Sequence, residues 1–397
     1  MKKVKIGLIG SGAISYTYLK NLRDTFSITE VVGCSDIVEE RSKSRAKQFG
    51  IRQMTNEEIL ADPEIEIIVN TTYPLSHFEI QEKAVKAGKH VYSEKMMAEN
   101  FANAKKLHEL AAEKGVRLGM APDTFLGAGH QTARKLIDSG LIGTPFGAQA
   151  LVVRGYRLQG ESDSDGHPFV FKEGGNIPHD MGGYYINALI NLLGPVSRVS
   201  GFGRPFKPLR QLNPRHPDYG KELGIKLSSL MTGSLEFENG VLANLTTMSE
   251  SHLREVPRVE IYGDEGTLIV PDPNTFLGPL YLARGNVSLA DSKEIPLTHG
   301  YGNVEVPDPG DGFTGEERQW RNSYRGLGVC DMAWAIRNNR AHRCSGDLGL
   351  HAMEIIYGIQ TSGDSGTVYK MTTKPDRPEA LKSGFIYGTA SEAVFDT

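Results

Sequence analysis

Cysteine is scarce in this chain. Cys34, Cys330 and Cys344 are the only three in 397 residues, and they lie too far apart for a disulfide framework or a metal-ligand spacing. No histidine pair has zinc-site spacing either, so no metal is expected. Cys34 falls inside an apolar strand pattern and reads as a small core residue. No apolar run approaches the length needed to span a bilayer. Charge of one sign is also lacking: 44 Lys and Arg against 48 Asp and Glu leave a net charge of −4. With no basic run or stripe, neither nucleic acid nor a membrane surface is an expected partner. Met1-Lys2-Lys3 leads straight into a strand and leaves no room for a signal peptide, so a cytoplasmic protein is expected. A chain of this length can bury a large core and is expected to form two domains.

Glycine, by contrast, is plentiful, and its first cluster is the most informative part of the chain. Ile6-Gly7-Leu8-Ile9-Gly10-Ser11-Gly12-Ala13-Ile14-Ser15 is an apolar strand running into a glycine turn and a helix start. Gly10 permits a sharp turn, and Gly12 lets backbone approach a pyrophosphate without a Cβ in the way. A helix opening at Ala13 presents free N–H groups and a positive dipole end to phosphate. Ser15 stands where the third glycine of G-x-G-x-x-G belongs. A second apolar strand, 30–36, ends in Asp36, at the spacing of a carboxylate that hydrogen-bonds an adenosine ribose. That charge repels a 2′-phosphate and favours NAD over NADP, while Arg41 on the next helix is placed to accommodate that phosphate. The alternative for Asp36 is a helix cap before Glu39 and Glu40.

Up to residue 121 strands and helices alternate, which predicts a parallel sheet covered on both faces. Gly88 is expected to end the helix over 76–87 in a left-handed conformation. Beyond Pro122 the pattern changes: a helix near 128–139, a strand near 147–153, a Gly/Asp/Ser-rich stretch over 155–175 and a helix over 182–193. Alternating segments follow at 196–202, 227–237, 241–248, 257–262 and 266–270. Asn239-Gly240 and Glu265-Gly266 between them are hairpin signals, so an antiparallel sheet is expected. Helices over 327–339 and 346–361 are expected to pack on that sheet, and the tail from Lys374 to form a loosely docked arm. The fold class is therefore α/β, with domains 1–122 and 123–397.

Ligands of an open parallel sheet sit beyond the carboxyl ends of its strands. Gly10, Gly12, Ala13 and Ile14, then Thr71 and Tyr73 with His77 in the helix that follows, then Glu94 and Lys95, converge there as the cofactor set. Lys95 is placed to bind or deprotonate a substrate hydroxyl, its pKa lowered by partial burial and an oxidised nicotinamide. The competing reading is a solvated lysine paired with Glu94. Asp180 and Tyr184 are four apart and share one face if the helix has begun; otherwise Asp180 is an N-cap and the tyrosine packs on the sheet.

Taken in order along the chain, these segments resemble the glucose-fructose oxidoreductase/inositol dehydrogenase/MocA family over nearly its whole length. The resemblance rests on Gly10–Ser15, on Glu94-Lys95-Met96 where the family has Glu-Lys-Pro, and on Gly174-Gly175-Asn176 through Asp180-Met181-Gly182-Gly183-Tyr184. The segments 121–129 and 322–328 resemble one sugar-oxidising branch. The resemblance implies an N-terminal Rossmann domain, a C-terminal α+β domain with an open, mostly antiparallel sheet, and a homodimer or homotetramer built through that sheet. It implies an NAD(P)-dependent oxidoreductase that oxidises a secondary hydroxyl of a sugar or polyol. Lys95, Asp180 and Tyr184 would be the catalytic set, and Asp123, Phe125, Tyr156, His167, His179 and Tyr184 would face the substrate. Lys95 and Tyr184 titrate as a coupled pair, which leaves open which of them is the base. Two departures stand out. Met96 replaces the proline, so any backbone shape that proline enforces must be made otherwise. Tyr184 replaces the histidine of inositol-dehydrogenase-like members, as in glucose-fructose oxidoreductase-like ones. Two other activities fit the same resemblance: a redox-assisted, NAD-dependent glycosidase, and a non-catalytic dinucleotide- and sugar-sensing regulator.

Overall fold

The computed structural model describes residues 2–154, 174–211, 219–220, 222–224, 226–249, 251–253, 256, 258–308, 310 and 312–383. The first half alternates β1 (Val4–Ile9), α1 (Ser15–Lys20), β2 (Thr29–Ser35), α2 (Glu39–Phe49), β3 (Arg52–Gln53), α3 (Asn56–Ala61), β4 (Ile67–Asn70), α4 (Pro74–Lys86), β5 (His90–Ser93), α5 (Phe101–Lys114) and β6 (Leu118–Met120). All pairings are parallel, in the order β3-β2-β1-β4-β5-β6. Strands buried on both faces must be almost wholly apolar, and Ile67, Ile68 and Val69 of β4 are fully buried. Local chemistry sets the helix limits. A capping box of Thr55 and Glu58 opens α3, Pro74 starts α4, and Gly50 and Gly115 end α2 and α5 in the left-handed region. Gly88, at φ 74°, is left-handed as expected. The strand order reverses between β1 and β4, which places the crevice of this sheet beyond Ile9 and Asn70.

The second half supplies α6 (Ala128–Asp138), β7 (Pro145–Val153), α7 (Gly183–Leu193), β8 (Val196–Arg204), β9 (Leu209–Gln211), β10 (Glu222–Gly224), β11 (Leu230–Phe237), β12 (Leu242–Met248), β13 (Val259–Gly263), β14 (Thr267–Val270), β15 (Leu280–Ala283), β16 (Lys293–Ile295), α8 (Gly315–Trp320), α9 (Leu327–Arg337), α10 (Gly346–Ser365) and β17 (Tyr369–Lys370). Nine of these strands form one sheet, β16-β15-β14-β13-β7-β12-β11-β8-β17, antiparallel except for β7 beside β12. The two expected hairpins are β11–β12 and β13–β14, and Gly240 at the first turn has φ 85°.

Two expectations are corrected here. Helices α9 and α10 do not pack on the antiparallel sheet alone. Helix α10 lies against β8 and β11 of that sheet and against β6 of the parallel one, with Phe101 of α5 stacked on its Tyr357 at 5.3 Å, while α9 lies against β6. The tail is not loose as far as residue 383. Leu381 is buried and its N–H donates to Gln131 at 2.8 Å, while Arg134 donates to the Pro378 carbonyl at 2.9 Å. Hydrogen bonds to backbone carbonyls leave no hydropathy pattern, so a proline- and charge-rich tail hides them.

Candidate active site

The glycine turn is built from both sides. Gly10 has φ 102°, and a Cβ on it would lie 2.6 Å from the Thr71 carbonyl carbon, so glycine is required twice over. Thr71 Oγ1 donates to the Gly10 carbonyl at 2.5 Å and ties the turn after β1 to the end of β4. A Cβ on Gly12 would meet nothing within 4 Å. Among the described residues no protein acceptor takes the N–H groups of Gly12, Ala13 and Ile14. Helix α1 opens at Ser15 rather than Ala13; Ser15, in the place of the third glycine, is fully buried, and its hydroxyl donates to the Gly12 carbonyl at 2.5 Å. Asp36 does not cap α2. Its carboxylate accepts the Ser11 N–H at 2.7 Å and the Val38 N–H at 2.8 Å, standing at the wall of a cavity of about 910 Å³. Gly10, Gly12, Ala13, Ile14, Arg41, Thr71 and Tyr73 line the same cavity. An open backbone cradle, unused N–H groups and a ribose-distance carboxylate are what a dinucleotide needs.

A second cavity, of about 590 Å³, shares Ile14 and Thr72 with the first, so the two adjoin. Lys95, Asp180, Tyr184 and Arg325 line it. Residues 178–182 form one π-helical turn ahead of α7, and this turn brings Asp180 to Lys95. The Lys95 ammonium donates to Asp180 Oδ1 at 2.6 Å and to the Asp180 carbonyl at 2.8 Å, and lies 5.5 Å from the Tyr184 ring centroid. Lys95 is therefore not the solvated partner of Glu94. The Glu94 side chain instead accepts the Lys95 backbone N–H at 3.1 Å and the Tyr18 hydroxyl at 2.9 Å. Arg325 Nη2 donates to the Tyr184 oxygen at 2.8 Å and to Asn274 Oδ1 at 3.2 Å, and its Nη1 stands 3.9 Å from Glu94.

Electrostatics follow from this packing. Burial disfavours charge on Lys95, but the charges of Asp180, Tyr184 and Glu94 outweigh it and hold the lysine above its ordinary pKa. The expected depression is thus reversed in the protein itself. Burial raises the Tyr184 phenol above its ordinary value, against the opposing pull of Arg325 and Lys95.

Other expected positions are scaffolding. The Asp123 carboxylate is fully buried and accepts the N–H groups of Gly326 and Gly328 at 2.9 and 3.0 Å, at the start of α9. Burial pushes its pKa up to about 6. Phe125 is likewise buried in the core and outside the cavity lining. His77 lines the 590 Å³ cavity, and its ring is clamped between two carbonyls, Met96 at 2.7 Å from Nδ1 and Thr72 at 3.0 Å from Nε2, so it also joins the loops after β4 and β5. Met96, whose peptide bond to Lys95 is cis, packs against Gly183. His179 pairs with Asn176 Oδ1 at 2.6 Å and is pushed down to about 4 by burial; it does not line the cavity. Tyr156 and His167 lie outside the described residues.

Sequence reasoning singled out no role for two arginines. Arg325 sits in the segment 322–328, which carried only the resemblance to a sugar-oxidising branch. Arg45 donates from α2 to Ser15 Oγ at 3.2 Å and to Glu316 of α8 at 2.8 Å, bracketing the glycine turn from the second half of the chain. A charge on a polar helix face carries no signal of such a contact.

Comparison with known proteins agrees with this geometry. Residues 4–121 match the sequence model of an oxidoreductase family with an NAD-binding Rossmann fold, and residues 130–269 match the GFO/IDH/MocA C-terminal domain. An uncharacterized oxidoreductase of Schizosaccharomyces pombe is 31% identical over 50% of this chain and 55% of its own length. The scyllo-inositol 2-dehydrogenase (NAD(+)) of Bacillus subtilis is 25% identical over 68% of this chain and 74% of its own. For most such curated relatives the chain spans about half their length. Among solved structures, levoglucosan dehydrogenase in complex with NADH and levoglucosan superposes with a TM-score of 0.75 over 94% of this chain and 100% of that one, at 19% identity. The WlbA dehydrogenase of Bordetella pertussis, with NADH and UDP-GlcNAcA, gives 0.70 over 94% and 99%, at 18% identity.

Proposed function

This chain belongs to the GFO/IDH/MocA family of oxidoreductases, and from that premise we propose that it is an NAD-dependent dehydrogenase of a sugar or cyclic polyol. The observation that carries the reading is the Lys95–Asp180–Tyr184–Arg325 cluster, lining a cavity that adjoins the dinucleotide crevice at Ile14 and Thr72. The chemistry a bound NAD supplies here is acceptance of a hydride from the carbinol carbon. Gly12, Ala13 and Ile14 N–H groups hold the pyrophosphate, and Asp36 takes the adenosine ribose and disfavours NADP. Lys95 and Tyr184 bind the substrate hydroxyl and manage its proton, and Asp180 fixes the lysine in place. Asn274, Gln319 and Asn322 offer hydrogen-bonding groups, and Phe276 and Trp320 offer apolar faces, a mixture suited to a hydroxyl-rich ring. Relatives named for scyllo-inositol and levoglucosan support this class.

Division of the chain into a dinucleotide unit, 1–122, and a substrate and assembly unit, 123–397, accompanies this reading. Phe202 and Leu242, 70% and 60% exposed, pair across the sheet with Thr232 and Glu236 of β11, and we assign homo-oligomer formation to that exposed part of the sheet. Light scattering on the protein and on Phe202→Asp tests it.

Screening inositols and sugars for NADH absorbance, with NADP in parallel, tests the function. Turnover that is lost in Lys95→Met and Tyr184→Phe is the expected result. Release of an aryl group from an aryl glycoside without net NADH would replace it with the redox-assisted glycosidase reading. Full turnover in Lys95→Met would remove the site assignment.

A further inference from the structure

Tyr184 and Arg325 are 141 positions apart, yet the Arg325 Nη2 donates to the Tyr184 oxygen at 2.8 Å. A guanidinium has no acceptor atom and keeps its protons in proteins, so the direction of this bond is unambiguous. The phenol oxygen accepts, and its own proton must turn elsewhere. Among the described residues no acceptor for that proton is present, and Tyr184 lines the 590 Å³ cavity. Arg325 is itself immobilised. It is 6% exposed, bonded to Asn274 and balanced by Glu94, which the Tyr18 hydroxyl holds in turn. Lys95 is placed differently. Two of its three N–H bonds go to Asp180, and a carboxylate in contact keeps it a cation.

We propose that Arg325 is a positioning residue for the reaction: it turns the Tyr184 oxygen toward the substrate and makes Tyr184, not Lys95, the group that exchanges the hydroxyl proton. This rests on the dehydrogenase reading above. In the oxidation, the substrate O–H bond breaks and its proton passes to the Tyr184 oxygen in its phenolate form. The C–H bond breaks with its electron pair, which leaves as hydride to oxidised nicotinamide, and C–O becomes C=O. Release of the phenol proton to water restores the phenolate. Lys95 gives its remaining N–H to the substrate oxygen and does not change protonation.

The test is a pH titration of protein labelled at tyrosine Cζ, followed by NMR without cofactor, the Tyr184 signal being the one lost in Tyr184→Phe. Arg325→Met is expected to raise the Tyr184 midpoint by about 1–3 pH units, the range for loss of a neighbouring opposite charge. The rising limb of kcat/KM for polyol oxidation is expected to move by the same amount. Arg325→Lys, which keeps the charge but not the fork, is expected to fall between the two. It carries the test alone if Arg325→Met does not fold. A Tyr184 midpoint unchanged in either folded variant overturns the proposal. So does a kcat/KM limb that stays in place while the midpoint moves. A wild-type protein that oxidises no polyol sinks the proposed function instead, and the NMR titration still decides whether Arg325 governs the phenol.

Discussion

Asp180 grips the Lys95 ammonium twice, with its carboxylate at 2.6 Å and its own backbone carbonyl at 2.8 Å. Both acceptors belong to one residue of the π turn over 178–182, a class of turn that recurs at functional sites. Lys95 is therefore a fixed cation at the mouth of the parallel sheet. Lys95→Met is expected to lower turnover by about 10²–10³-fold, the range for loss of one fixed donor to the reacting oxygen. Asp180→Asn is expected to cost less and to lower the lysine pKa, because burial then acts with less opposition. Steady-state NADH formation, with dinucleotide affinity measured separately by fluorescence, distinguishes lost chemistry from lost binding.

The direction of the Tyr184 shift predicts a pH profile. Its pKa stands above the ordinary phenol value in the protein, so at neutral pH the group is protonated. Oxidation requires it as an acceptor, and reduction of the product ketone requires it as a donor. Polyol oxidation should therefore accelerate as pH rises above neutrality, while ketone reduction is steady at neutral pH and declines on the alkaline side. Measuring kcat/KM in both directions over one pH series checks the sign; parallel profiles would contradict it.

Gly10 and Gly12 should fail in different ways. Gly12→Ala adds a Cβ that meets no protein atom within 4 Å, so unfolding stability should change by no more than about 0.5 kcal/mol. Its methyl group enters the phosphate path, and NAD affinity should drop roughly tenfold, about 1.4 kcal/mol. Gly10→Ala forces a positive φ on a side chain 2.6 Å from the Thr71 carbonyl carbon, and should cost about 1–3 kcal/mol of stability. Urea unfolding alongside NAD titration separates the two.

A buried acid far from the cavity gives a stability prediction. Asp331 in α9 is fully buried and accepts from Arg343 at 2.6 Å and from Arg340 at 2.8 Å. Burial alone would raise its pKa, but the two arginines outweigh it and hold the pKa below the ordinary carboxylate value. Its contribution is thus present above the unfolded-state pKa and lost as pH falls through the lowered folded-state value. Asp331→Asn leaves two guanidinium groups short of their counter-ion and should destabilise by about 3–5 kcal/mol. Urea midpoints at neutral pH check the magnitude, and the gap to wild type should narrow only in strong acid.

The wall of the larger cavity was legible in the sequence. A strand, a glycine turn, a helix start and Asp36 are neighbours in sequence because they are neighbours in one βαβ unit, and short-range sterics write them into residue choice. Lys95 was legible for a related reason: in a parallel sheet the end of each strand is a position on the crevice. Where the reading missed, the residues act across the fold. Asp123 and Phe125 lie just past the end of β6, yet α9 arrives to take the Asp123 carboxylate for its own N–H groups. His77 lines the smaller cavity as well, but both of its ring nitrogens are already taken by backbone carbonyls.

By itself, then, the sequence determined the alternation of strands and helices, the glycine turn after β1 and the presence of a lysine, an aspartate and a tyrosine in two separate segments. Only the tertiary structure decided what those three groups are. Lys95 is a cation because Asp180 reaches it, and Tyr184 accepts a hydrogen bond because α9 begins where Arg325 can enter the cavity wall. Charge state depends on burial and on partners many residues away, and neither leaves a periodic mark along the chain.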